Sequence, residues 1–103
     1  MAAQEPIVVY VDPDLADLIP RFLANQQTAL ATMQAALQQH DYETIRHAGH
    51  KMKGSAGGYG FDALSDLGAT LEQGAQVGDH ATLASCLASL EHHLQHVEIR
   101  YEA

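Results

Sequence analysis

Between His47 and Gly60 the sequence reads His-Ala-Gly-His-Lys-Met-Lys-Gly-Ser-Ala-Gly-Gly-Tyr-Gly, which sets two imidazoles and two amines among more glycines than a helix normally tolerates. Each helical glycine costs about 0.8–1 kcal/mol relative to alanine, so their retention calls for a reason. His50 supplies one. A neutral imidazole, with an unperturbed pKa of about 6.5, is a nucleophile at neutral pH without a general base. Lys53, one turn further along, is placed to neutralise a dianionic group attached to the ring. The chemistry that suits this pair is phosphoryl transfer, which depends mainly on positioning and charge neutralisation. There is no Walker-type Gly-x-x-x-x-Gly-Lys-Ser/Thr run, Lys53 precedes its glycines, and no carboxylate cluster offers a magnesium site. The chain is therefore expected to accept and donate phosphoryl groups without binding ATP and without a cofactor of its own.

The apolar spacing around this stretch predicts a helix. At about 100° per residue, Ile45, Ala48, Met52, Ala56 and Tyr59 gather roughly opposite His50 and form a buried stripe. Arg46, His47, Lys53, Gly54 and Gly57 lie within about 60° of His50, so the imidazole faces outward, flanked by cations and bare backbone. Ser55 adds a hydroxyl nearby. Gly54 and Gly57 leave a shallow patch through which a partner can bring its own active site close. These residues, with Arg46, His47 and Ser55, form the expected docking surface.

The rest of the chain supplies the scaffold. Residues 1–11 are expected to be an extended lead-in packing its apolar side chains on the helices, since a lone strand at Ile7–Val11 has nothing to pair with. Asp12-Pro13 is a helix start, and Pro20 predicts a short first helix with a break near Ile19. A long amphipathic helix follows from Arg21 to Gln39, and Asp41 caps the next, which ends near Gly58 to Gly60. Asp62 caps a third, with Leu64, Leu67, Leu71 and Ala75 on one side. Gly78-Asp79 separates it from a last helix in which Leu83, Leu87, Leu90, Leu94, Val97 and Tyr101 alternate steps of four and three. The expected fold is all-α: an antiparallel up-and-down four-helix bundle with a short additional N-terminal helix, one domain over residues 1–103.

His50-Lys51-Met52-Lys53-Gly54-Ser55 followed by Gly60 resembles the His-x-x-Lys-Gly-(Ser)-x-x-x-x-Gly signature of histidine-containing phosphotransfer (HPt) domains of bacterial multistep phosphorelays. The similarity continues through the helix that begins at Asp62 and, more loosely, over the whole chain. It implies a four-helix bundle whose His50 is phosphorylated at Nε2 and exchanges the group with an aspartate of a receiver domain, which supplies the magnesium ion. Lys53 would match the lysine that stabilises the phosphate, and Gly54 the glycine that leaves room for the receiver. The partners implied are receiver domains of response regulators or a hybrid histidine kinase. His47 adds a second imidazole one turn before the site, but it lacks a following Lys-Gly at the right spacing.

Composition narrows the alternatives. A formal net charge of -8 with five Lys and Arg residues argues against nucleic acid or an anionic membrane as partner, although Arg46, Lys51 and Lys53 make a small positive island beside His50. No apolar run approaches a bilayer span, residues 1–11 do not show a basic region followed by an apolar run and a small-residue cleavage site, and the lone Cys86 suits a reducing compartment. These features predict a cytoplasmic monomer. Met1 and the short lead-in suit a free-standing protein, as they would the excised domain of a hybrid kinase. Two further readings are a degenerate bundle that docks on a receiver or kinase without transferring phosphate, and a small metal-binding protein using His47 and His50 or His92 and His96. The last pair has helical i, i+4 spacing but no third ligand, and a solvated histidine face is the simpler reading. Cys86 flanks the leucine stripe as a small core residue.

Overall fold

The computed structural model describes residues 6–102; positions 1–5 of the expected lead-in lie outside the described residues. Strand β1 (Ile7–Val11) is followed by a 3-10 helix (Pro13–Leu18) and then by α1 (Ile19–Gln38), α2 (Tyr42–Ala56), a second 3-10 turn (Gly57–Tyr59), α3 (Asp62–Val77), α4 (His80–His96) and strand β2 (Val97–Tyr101). The protein is mostly helical. α1 packs on α2 and α4, and α3 on α2 and α4, so the four helices enclose one core. Met33, Ile45, Leu64, Leu71, Leu83 and Leu90 are completely buried in it. At one end Phe22 packs its ring 4.7 Å from Tyr59 and 4.9 Å from Phe61, which ties α1 to the turn between α2 and α3.

Local signals explain most helix boundaries. Asp41 accepts hydrogen bonds from the backbone N–H and hydroxyl of Thr44, and Asp79 does the same for Thr82. Each satisfies a donor that a helix start leaves unpaired. Gly60 (φ 89°) closes the 3-10 turn that continues α2, and Gly78 (φ 67°) closes α3, both in the left-handed conformation.

Three expectations require correction. At the N-terminus, Asp12 does cap a helical turn that starts with Pro13, but that turn is 3-10 and runs straight into α1. Pro20 sits in the first turn of α1, where its missing N–H disturbs nothing. Asp62 is the first residue of α3, whose cap position is the buried Phe61. The third correction is the largest: β1 has a partner. Instead of continuing as helix to Tyr101, the chain leaves α4 at His96 and β2 pairs parallel with β1, Ile7 opposite Val97 and Val11 opposite Tyr101. The pair is held because Val9 and Val11 of β1 pack into the core, and the N–H of Glu102 extends it by donating to the Val11 carbonyl at 3.1 Å.

Candidate functional site

The most extensive helix packing in the molecule is between α2 and α3, and two buried glycines make it possible. A Cβ on Gly68 would lie 2.6 Å from the backbone nitrogen of Lys53 and 2.8 Å from the Gly49 carbonyl oxygen; one on Gly49 would lie 2.8 Å from the Gly68 carbonyl oxygen. Backbone therefore rests on backbone, closer than any side chain allows. Below this crossing the Ser65 hydroxyl donates to the Lys53 carbonyl at 2.9 Å, fixing the two helices in register.

That close approach carries Glu72 to the charged residues of α2. Glu72 stands four residues after Gly68, on the same face of α3, just as Lys53 stands four residues after Gly49 on α2. One carboxylate oxygen, Oε2, lies 2.9 Å from His50 Nδ1, and the other, Oε1, lies 2.6 Å from Lys53 Nζ. Glu72 is mostly covered, its side chain 15% exposed, while His50 is 63% exposed. The Lys53 ammonium, with a smaller contribution from His50, holds the Glu72 carboxyl below its ordinary pKa against the opposing effect of partial burial.

An ionised carboxylate only accepts hydrogen bonds, so Nδ1 of His50 must carry the ring proton. This leaves Nε2 as the lone-pair nitrogen of an exposed ring. The same carboxylate is positioned to stabilise positive charge on the imidazole if Nε2 forms a bond to an electrophile.

The other candidate residues are distributed around this cluster. A Cβ on Gly54 would meet nothing within 4 Å, and one on Gly57 only the Ser65 side chain at 3.8 Å, so α2 is bare on the C-terminal side of His50. Arg46 is engaged by Glu43 through a two-pronged ion pair. His47 is exposed and lines the groove between α1 and α2 with Thr32 and Lys51; among the described residues no carboxylate hydrogen-bonds its ring. Ser55 turns its hydroxyl back to the Lys51 carbonyl at 2.9 Å and lines a second pocket between α1 and α2 with Asn25 and Ala29, away from Glu72. His92 and His96 stack on each other at 4.2 Å, with His96 Nδ1 against the His92 carbonyl, and no group of three metal-ligating side chains occurs among the described residues. Cys86 is buried against the Leu67 carbonyl, its thiol pKa pushed up by burial.

Glu72, Gly49 and Gly68 are the residues that sequence reasoning missed. Their one visible trace is the repeated spacing of a glycine four residues before a charged side chain on consecutive helices. The position of Glu72 leads to a pH-dependent outcome. Because its folded-state pKa is lowered, its contribution to stability is fully present above the unfolded-state value, about 4.3, and is lost as pH falls through the folded-state value. Thermal unfolding across pH 3–7 is therefore expected to show wild type more stable than Glu72→Gln at neutral pH, with the two curves converging in acid; a constant gap would dissociate the ion pairs from stability.

A family model described as Hpt domain matches residues 17–99. No curated protein and no solved structure matches the chain.

Proposed function

The chain belongs to the Hpt domain family, whose members act in histidine phosphotransfer within phosphorelays, and from that premise we propose that it carries a phosphoryl group on Nε2 of His50 between receiver domains. The observation that carries this reading is the Glu72 carboxylate on Nδ1: it selects the tautomer whose lone pair is on Nε2. That lone pair forms the N–P bond as the O–P bond of a receiver's aspartyl phosphate breaks, and the aspartate departs as carboxylate. Nδ1 keeps its proton throughout, and Glu72 offsets the ring's positive charge. Transfer onward reverses the step.

Lys53 moves from Glu72 to the phosphoryl oxygens as they arrive, a short swing for a partly exposed side chain. The open surface at Gly54 and Gly57 admits the receiver, with Arg46 and His47 at its margin. We assign the magnesium ion that supports aspartyl-phosphate chemistry to the receiver, because the carboxylate beside His50, Glu72, stays bonded to the protonated Nδ1 of the ring. No helix of the described residues is long and apolar enough to cross a membrane, and we place the protein in the cytoplasm with its receivers.

Incubation with a receiver carrying labelled aspartyl phosphate tests the reading. Acid-labile label is expected to move to this protein and to map to the peptide containing His50. A protein that binds the phosphorylated receiver without gaining label would instead be a docking module.

A further inference from the structure

Among the described residues, no element pairs with the edge of β2 that faces away from β1. The only extensive packing of β2 among these residues is with β1, the sheet has two strands, and no backbone hydrogen bond to any other element involves residues 97–101. Of the devices that protect such an edge, Val97-Glu98-Ile99-Arg100-Tyr101 has no proline, lysine or bulge; its one acidic and one basic side chain, Glu98 and Arg100, are of opposite sign and can pair across an interface instead of repelling it. By contrast, the outer edge of β1 runs against the turn after α2, with the Tyr10 carbonyl 3.0 Å from where a Cβ on Gly60 would stand.

The inner face of β2 is also unfinished. Side chains at 97, 99 and 101 lie on the same side as those of Ile7, Val9 and Val11. Val11 is 1% exposed, whereas Tyr101 across from it is 48% exposed, and Val97 and Ile99 are only partly buried. β2 thus overhangs the core.

We propose that this edge pairs antiparallel with β2 of a second copy of the chain, giving a four-stranded sheet in the order β1-β2-β2-β1 about a twofold axis. Two identical antiparallel strands related by such an axis must set some residue opposite its own copy. Centring on Glu98 or on Arg100 places like charges opposite each other. Centring on Ile99 sets Glu98 opposite the partner copy's arginine at 100, Ile99 opposite isoleucine, and Val97 opposite tyrosine at 101. Opposite charges and aliphatic–aromatic pairs are the cross-strand neighbours that stabilise sheets. Glu98 and Arg100 already bond within the strand, Arg100 Nε to Glu98 Oε2 at 2.7 Å, so the dimer would close four alternating charges into one cluster. The five-residue strand is complementary to itself in this register alone among the three.

Sedimentation equilibrium over a wide concentration range tests the proposal, with far-ultraviolet circular dichroism confirming that each variant folds. Wild type is expected to pass from monomer to dimer as concentration rises. Glu98→Arg and Arg100→Glu should each be monomeric, since either sets like charges opposite each other at both ends. An equimolar mixture of the two variants should regain the dimer, as should the double variant with both charges exchanged. A wild type that stays monomeric throughout overturns the proposal, and so does association that survives both reversals, or a mixture that fails to associate.

Discussion

Replacing His50 by glutamine is expected to reduce phosphoryl label on the protein to background while leaving the fold intact. Glutamine offers an amide of similar reach but no nucleophilic nitrogen, because its lone pair is delocalised into the carbonyl. The structural consequences are small: the His50 side chain is 63% exposed, and the substitution removes its hydrogen bond to Glu72 Oε2 while Glu72 Oε1 keeps Lys53. A surface change of this kind normally alters stability by no more than about 0.5 kcal/mol, so loss of label cannot be ascribed to unfolding. The parallel variant His47→Gln should retain label, because His47 faces the groove beside Thr32 and Lys51, where no carboxylate of the described residues fixes its proton on one nitrogen. Phosphotransfer from a labelled receiver, followed on acid-free gels for both variants, gives the comparison. Label absent from His47→Gln and kept by His50→Gln would move the site by one turn of α2.

The parts of the molecule legible in the sequence are those governed by near neighbours. Asp41 reads as a cap and Gly78-Asp79 as a boundary because the threonine that each aspartate binds is only three residues away, and Gly60 and Gly78 read as helix ends because left-handed backbone is a property of one residue. The leucine stripes of α3 and α4 are likewise local. β2 was hidden for a physical reason: Val97 and Tyr101 continue the three- and four-residue steps of α4, while Val97, Ile99 and Tyr101 also alternate as a strand. Five residues do not separate the two periods. What decides between them is Ile7–Val11, at the other end of the chain. The outward placement of His50 follows from periodicity within α2, but the approach of Glu72 depends on how α2 and α3 are rotated and shifted against each other, which neither helix encodes alone. The excess of glycine did signal the site, though for a second reason as well: Gly54 clears the surface, while Gly49, four residues before Lys53, lets another helix in.

Gly68→Ala follows from that distinction and should be the most damaging single-methyl addition in the protein. The new Cβ would meet the Lys53 nitrogen at 2.6 Å and the Gly49 carbonyl oxygen at 2.8 Å, and because both are backbone atoms, no rotamer change relieves the clash. The helices must separate. Overpacking of this kind costs about 1–3 kcal/mol, and alanine's better helix propensity recovers at most about 1 kcal/mol, so Tm should fall by up to roughly 10 °C. Gly54→Ala is the control: its Cβ meets nothing within 4 Å, so only the propensity gain remains and Tm should rise. The effect at the site should exceed the loss of stability. A shift of α3 by about an ångström stretches the 2.9 Å separation between His50 Nδ1 and Glu72 beyond hydrogen-bonding range. The ring proton is then no longer confined to Nδ1, and nitrogen chemical shifts of the His50 imidazole should move from a single fixed tautomer towards the averaged values of a free histidine. Phosphotransfer should slow in the same variant at temperatures where it is fully folded. If Gly68→Ala matches wild type in both Tm and imidazole shifts, the glycine crossing is not what holds Glu72 against His50.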